Sequence, residues 1–200
     1  MTENANVELG PFAKCIVIAA LHGRCLAHRQ ASAKESNRDP RGFWTRQKPL
    51  ASILERNIMQ LKQCRTSSAI ERDSMLIFTH MLAHSAIIHL SCTVERTSFR
   101  TVEHQLMVNA AEQRALRAIA EMAHLAKAVP SSCGLTAHPF LPNPLSSATF
   151  FLTSHSTLNV DGQQGIKHLV RLLKNLSDIN TLALEPLSTV MTLNDHDGSS

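Results

Sequence analysis

His80 and His84 are the residues of this chain whose type and spacing come closest to a site for chemistry. They stand four residues apart in the sequence HMLAH, the spacing at which two histidines on a helix bind zinc in metallohydrolases. Met81 occupies the position of the glutamate that would act as general base, and no third ligand is evident. We therefore favour two histidines packed in a helical core, and keep a small helical metal-dependent enzyme as the alternative.

Sequence motifs for other kinds of catalysis are absent from the chain. It contains no G-x-x-x-x-G-K phosphate-binding loop, no G-x-G-x-x-G dinucleotide-binding turn and no G-x-S-x-G nucleophile elbow. Its seven glycines leave little material for a loop that cradles phosphate. We expect no enzymatic activity, and we assign no catalytic, cofactor-binding or metal-ligating residue.

The cysteines predict neither a disulfide framework nor a zinc finger. The five of them are odd in number and include no C-x-x-C pair. Cys15 and Cys92 lie within apolar runs, where a cysteine usually serves as a small buried hydrophobe. The first ten residues, MTENANVELG, do not resemble a signal peptide, so we expect the reducing interior of a cell.

The stretch from Arg24 to Lys48 is strongly basic, with seven Lys or Arg residues against two acids. A surface that binds nucleic-acid phosphates is one interpretation of this charge. Aromatic residues, which serve as stacking platforms for single-stranded nucleic acid, make up only 4% of the chain. Because no motif accompanies the charge, we favour a solvated loop and keep nucleic-acid binding as a third hypothesis.

Residues 73–93 form the element around which the other helices must pack. No Lys, Arg, Asp or Glu occurs between Ser74 and Val94, so a helix here has no charged face for solvent. We predict a central helix that is buried on most sides and capped by Asp73 or Ser74. Three histidines interrupt its apolar character and its length is short for a bilayer, so we do not expect a membrane span.

Apolar residues at helical spacing predict further helices on both sides of the central one. In chain order, the predicted helices are 11–28, 43–64, 73–93, 99–129, 148–160 and 163–176, of which 148–160 could also be a strand. Pro40 and Gly42 predict that residues 31–42 are a polar loop, and Asp161-Gly162 predicts a turn. Because of Pro49, we expect the second helix to begin near Lys48 or to kink there.

Together these patterns predict an all-α fold, an irregular bundle or array of about six to eight helices. At 44% hydrophobic residues, the 200-residue chain can bury a substantial core in one domain. We place that domain at 9–190 and expect residues 1–8 and 191–200 to be disordered.

Three segments carry a family resemblance: LGPFAKCIVIAALHGRCLAH at 9–28, FWTRQKPLASILERNIMQL at 43–61 and DSMLIFTHMLAHSAIIHL at 73–90. In order and spacing, they resemble the fungal-specific transcription factor domain, the middle regulatory region of fungal zinc binuclear cluster transcription factors. Members show a Gly-Pro-Phe helix with a buried Cys and Ile run, then a Phe-Trp-x-Arg helix, then a helix of mixed Leu, Phe, Met and His. HPFLPNP at 138–144 resembles the family's Asn-Pro-Phe loop, and residues 163–176 fit its next helix.

The chain departs from the family pattern in three places. Pro49 interrupts a helix that is usually free of proline, and residues 145–160 fit the family poorly. None of the five cysteines matches the six-cysteine zinc cluster, so we transfer no zinc-binding or DNA-contacting residue and expect no cofactor. The resemblance then implies that the chain corresponds to the later part of the regulatory domain.

The resemblance also implies a function. It implies a non-catalytic, transcription-regulator-like protein of the nucleus that acts through protein interaction. The expected partner is a protein, either an intact zinc-cluster regulator or a second copy of this chain. DNA would be contacted only indirectly, and no membrane would be involved.

Overall fold

The computed structural model describes residues 9–35, 40–63, 73–97, 102–129, 137–154 and 160–188, and these residues contain helices and no strand. In chain order, the helices are α1 (Pro11–Glu35), α2 (Pro40–Gln63), α3 (Ser74–Glu95), α4 (Val102–Ala128), α5 (Pro142–Ser154), α6 (Val160–Ser177) and a 3₁₀ helix, Thr181–Ala183. Residues 184–188 are also helical. The prediction of an all-α array of about six to eight helices is confirmed.

Helix α3 is the central element that the sequence predicts. Asp73 caps it, because its Oδ1 atom accepts hydrogen bonds from the amides of Met75 at 2.9 Å and Leu76 at 3.2 Å. By length and composition α3 could cross a membrane, but 78% of its most apolar stretch is buried inside the protein. Its lack of charge is therefore explained by the helices that cover it.

The other helices are arranged around α3. Helices α1 and α4 make the most extensive contacts with it, and α2 and α5 cover further parts of its surface. Helix α6 packs on α4 and α5 and so forms an outer layer. One continuous apolar core joins all six, and its largest fully buried side chains include Ile18, Leu54, Met81, Ile88, Met122, Leu145, Phe151 and Leu169.

Pro40 and Pro49, which we expected to interrupt helices, both lie within α2. Helix α1 continues to Glu35 and α2 begins at Pro40, so the predicted loop over 31–42 is wrong at both of its ends. Pro40 is tolerated because the first residue of a helix needs no amide donor. Of the two alternatives for Pro49, a helix that begins near Lys48 is wrong, since α2 runs through Pro49, whereas a kink there stays a prediction. Pro49 is exposed, so water can reach the Thr45 carbonyl that lacks its helical donor.

Boundaries near the carboxyl end of the chain also differ from those predicted. Helix α5 runs from Pro142 to Ser154 and so begins six residues before the predicted segment 148–160, for which helix is the correct choice over strand. Helix α6 begins at Val160, so Asp161-Gly162 belongs to its first turn and does not precede it. The predicted disordered ends, 1–8 and 191–200, lie outside the described residues.

Candidate functional site

His80 and His84 lie on consecutive turns of α3, with both side chains buried at 1% and 3% exposure. A catalytic metal needs three protein ligands and an open position for water or substrate. Among the described residues, no group of three His, Cys, Asp or Glu side chains is placed to hold a metal ion. The geometry of this part of the chain therefore gives no support to the metal-dependent enzyme.

A second group of polar residues, which we call the polar seam, lies where α1, α3 and α5 meet. It consists of His22 and Arg29 from α1, Ser85 and His89 from α3, and Ser147 from α5. Ser85 and His89 are four residues apart and so lie on one face of α3. The seam brings together residues as far as 125 positions apart in the sequence.

The hydrogen bonds of the seam fix the proton on His89. Arg29 Nη1 lies 3.2 Å from His89 Nδ1, and a guanidinium can only donate. His89 Nδ1 therefore accepts, and its Nε2 carries the proton and donates to Ser147 Oγ at 3.2 Å. Ser85 Oγ donates to the same Ser147 oxygen at 3.2 Å and lies 3.5 Å from His22 Nε2.

Burial keeps the histidines of the seam neutral. It lowers the pKa of His89 to about 4, with smaller contributions from His22, when that ring is protonated, and from Arg29. Burial also lowers the pKa of His22. A serine beside a histidine is part of a nucleophilic dyad in many hydrolases, but a base with a pKa of about 4 takes protons poorly at neutral pH. The seam therefore joins three helices without the properties of a catalytic dyad.

Much of the basic stretch 24–48 is helical, and part of its charge points toward the interior. Arg46 Nε donates to His28 Nδ1 at 3.5 Å, and His28 Nε2 lies 2.9 Å from Gln47 Oε1. Gln47 Nε2 in turn donates to the carbonyl of Leu90 on α3 at 3.1 Å. The described parts of the stretch are helical, so the loop that we favour from the sequence is wrong for them. Four of their six cations are nevertheless exposed to solvent as expected, and only Arg29 and Arg46 bond to histidines.

An open cleft of about 440 Å³ lies between α2 and α4. Both helices pack on α3 and scarcely on each other, so the surface of α3 between them forms the floor. His84 and Ile87 of α3, Ile58 of α2 and Ala118 of α4 line it. Ile58 and Ala118 are buried beneath it, at 7% and 3% exposure.

Five charged side chains stand at the rim of the cleft: Glu55 and Lys62 from α2, and Arg114, Arg117 and Glu121 from α4. Two ion pairs span it. Lys62 Nζ lies 2.6 Å from Glu121 Oε1, and Arg114 Nε lies 3.5 Å from Glu55 Oε1. Arg117 is exposed and forms no hydrogen bond or ion pair with another described residue. Among the described residues, the rim therefore holds one more cation than carboxylates.

Toward the carboxyl end of α3, the space between α2 and α4 narrows. A cavity of about 20 Å³ continues along α3 past Leu90 and Ser91. Beyond it, Phe43, Val94 and Ala111 pack together with Trp44 and Val108 in a small cluster that joins α2, α3 and α4. This cluster closes the space between the two flanking helices.

Sequence reasoning missed both the seam and the cleft. The available signal for the seam was the pair Ser85 and His89 on an otherwise apolar helix, together with His22 and Arg29 two turns apart on α1. For the cleft it was Arg114, Arg117 and Glu121, which fall on one face of α4. Both signals are common on helices, so neither identifies a site without knowledge of the packing.

No protein-family model matches the chain. No solved structure matches it either.

Several curated fungal proteins are similar to the chain over most of its length. It is 43% identical over 190 residues to a transcription factor of Aspergillus terreus, covering 95% of the chain and 31% of the relative. It is 37% identical over 223 residues to the asperfuranone cluster transcription factor afoA of Emericella nidulans, covering 98% of the chain and 33% of the relative. It is 30% identical over 203 residues to the pigment biosynthesis transcriptional activator pigB of Monascus ruber, covering 100% of the chain and 36% of the relative.

The chain spans about a third of the length of these relatives. Their names describe transcription factors and not enzymes. The predicted likeness to fungal transcription factors is thereby confirmed: along nearly all of its length, the chain is similar to one region of the transcription factors that fungi carry for individual biosynthetic clusters.

Proposed function

We propose that this chain is a regulatory region of a transcription regulator of a fungal biosynthetic cluster, acting in the nucleus through protein contacts. The region corresponds to the later part of the middle regulatory domain, and it neither catalyses a reaction nor contacts DNA itself. The observation that carries this proposal is the similarity of 90% or more of the chain to several transcription factors named for such clusters.

The cysteines that the structure describes support a role apart from the zinc cluster. Cys15 and Cys25 are buried in the core, and Cys92 is half-buried. Burial raises the pKa of Cys25 to about 11 and the pKa of Cys92 to about 11. These cysteines pack in the apolar core, and among the described residues no group of three His, Cys, Asp or Glu side chains is placed to hold a metal ion.

The outer face of α1 supports a protein partner. Phe12, Ile16 and Ala20 recur at four-residue steps along the helix, and all three are exposed, Phe12 at 67% and Ile16 at 54%. Exposed apolar side chains in a row commonly mark a protein interface. The relatives are about three times as long as the chain, so the rest of such a polypeptide is available to cover this face. We propose that the partner is an intact regulator of this kind.

The regulatory role can be tested in afoA, the Emericella nidulans relative. We replace the region of afoA that matches this chain with the chain itself and measure transcripts of the asperfuranone cluster. We expect transcript levels well above those of afoA lacking the region. Leu54→Asp, which places a charge in the fully buried core, should abolish the gain, whereas Leu106→Asp on the exposed face of α4 should preserve it.

An inactive hybrid that accumulates normally in the nucleus would refute the regulatory role. A separate measurement tests the partner. The chain is co-precipitated with afoA that lacks the matching region, with Phe12→Asp/Ile16→Asp as the interface variant and Leu106→Asp as its control. Loss of binding in the first variant alone supports the proposed face, while equal binding by both variants, or self-association of the chain in place of binding, contradicts it.

A further inference from the structure

We propose that the cleft between α2 and α4 binds a small organic acid, with its carboxylate at the rim and its apolar body on the floor. The inference concerns ligand binding by this chain and does not depend on the proposed role in transcription. It follows from the size of the cleft, the composition of its floor and the imbalance of charge at its rim.

The size and floor of the cleft suit an apolar body. Its volume of about 440 Å³ is within the range of small-molecule sites, which is roughly 300–1,000 Å³. Ile58, Ile87 and Ala118 present aliphatic groups, and Met59 stands at the edge with 64% of its surface exposed. An alkyl or aryl group would cover the part of this apolar surface that now faces water.

The rim supplies the recognition of the acid group. Arg114 and Arg117 are three residues apart and lie on the same face of α4. Arg114 reaches Glu55 through one nitrogen at 3.5 Å, and both side chains are about half exposed, at 45% and 52%. An exposed ion pair of this kind contributes little and exchanges readily. The other donors of Arg114 and the whole guanidinium of Arg117 can bind a carboxylate through paired hydrogen bonds.

Because the rim is charged and the floor is apolar, an organic acid fits the cleft better than an inorganic anion or a neutral apolar molecule does. Inorganic phosphate would meet the arginines but leave the aliphatic floor exposed. A neutral apolar molecule would cover the floor but give the surplus cation no partner. A carboxylate joined to an apolar chain satisfies both parts, which lie on adjoining surfaces of the same cleft.

Isothermal titration calorimetry of the full chain with three probes tests the proposal. Decanoate provides the carboxylate and the apolar body, decan-1-ol provides the body alone and inorganic phosphate provides the charge alone. We expect decanoate to bind at one site, at least about ten-fold more tightly than either of the other probes. Arg114→Gln/Arg117→Gln should weaken decanoate binding to the level of decan-1-ol and leave decan-1-ol binding unchanged.

Arg24→Gln, an exposed arginine of α1 outside the cleft, serves as the matched control and should leave all three affinities unchanged. Methyl NMR spectra locate the ligand: decanoate should shift the methyl signals of Ile58 and Ile87 and leave that of Ile18, on the buried face of α1, unchanged. Equal binding of decanoate and decan-1-ol, unchanged decanoate binding by the double variant, or shifts that bypass Ile58 and Ile87 would each overturn the proposal.

Discussion

Helix α3 meets α1 and α5 on one side and leaves an open cleft between α2 and α4 on the other. On the closed side, Ser85 and His89 bond to Ser147, and Arg29 bonds to His89, within the polar seam. On the open side, His84 and Ile87 lie at the floor, while the charged residues stand at the rim in ion pairs between α2 and α4. The same uncharged helix is therefore covered in two different ways.

The difference follows from the cost of removing charge from water. Neutral side chains can be buried once their hydrogen bonds are satisfied, and the seam contains neutral histidines and serines together with one charged side chain, the half-buried Arg29. Full charges are retained where solvent reaches them, as in the two ion pairs at the rim. Close packing on one side thus gives stability, and the gap on the other side leaves space for a ligand.

Substitutions of two adjacent isoleucines of α3, Ile88 in the core and Ile87 at the cleft, should show this contrast with the largest change in stability. Ile88 is 1% exposed, and Ile88→Ala should lower the free energy of unfolding by about 2–5 kcal/mol, because the lost methyl groups leave a cavity. Ile87 lies at the cleft, and Ile87→Ala should cost about 1 kcal/mol, since the change enlarges a space that is already open. Urea unfolding followed by circular dichroism measures both. Similar losses would show that the cleft side is as tightly packed as the core.

The closed side should also make stability depend on pH. The pKa of His89 is about 4 in the folded protein and near 6.5 when unfolded, so the unfolded chain binds the proton more tightly. Stability is therefore full above about pH 6.5 and falls as the pH drops toward 4, by roughly 2–3 kcal/mol from His89. The lowered pKa of His22 acts in the same direction.

His89→Gln isolates this effect, because glutamine can still accept from Arg29 and donate to Ser147 but does not titrate. Unfolding free energies measured from pH 7 to pH 4 should fall less steeply for the variant than for the unmodified protein. The other histidines titrate in both proteins and cancel in the difference. Parallel slopes would mean that His89 is not buried in the seam.

The smallest expected effects compare one polar contact from each side. Ser147→Ala removes the acceptor of both Ser85 and His89 and should cost about 1 kcal/mol. Lys62→Met removes the ion pair with Glu121, whose two side chains are 40% and 35% exposed, and should cost no more than about 0.5 kcal/mol. Thermal unfolding at low and high salt measures both, and the cost of Lys62→Met should shrink at high salt while the cost of Ser147→Ala stays the same. A larger loss for Lys62→Met would reverse the proposed contrast.

The sequence predicted α3 well because its signal is local: more than 20 consecutive residues without a charge, preceded by a capping aspartate. Pro40 and Pro49 misled the prediction, because a first-turn position and an exposed position tolerate what a buried helix interior would not. The seam and the cleft were not predictable for another reason. Each is assembled from three helices, and which residues meet is decided by packing and not by spacing along the chain.

The cluster that closes the narrow end of the cleft contains Trp44, the single tryptophan of a chain that has no tyrosine. Its ring lies 4.9 Å from that of Phe43 and 6.2 Å from that of His104 on α4. Near-ultraviolet fluorescence of the unmodified protein therefore reports from one place, the junction of α2 and α4. Separation of these two helices would change the emission of Trp44, so tryptophan fluorescence reports whether that junction is intact.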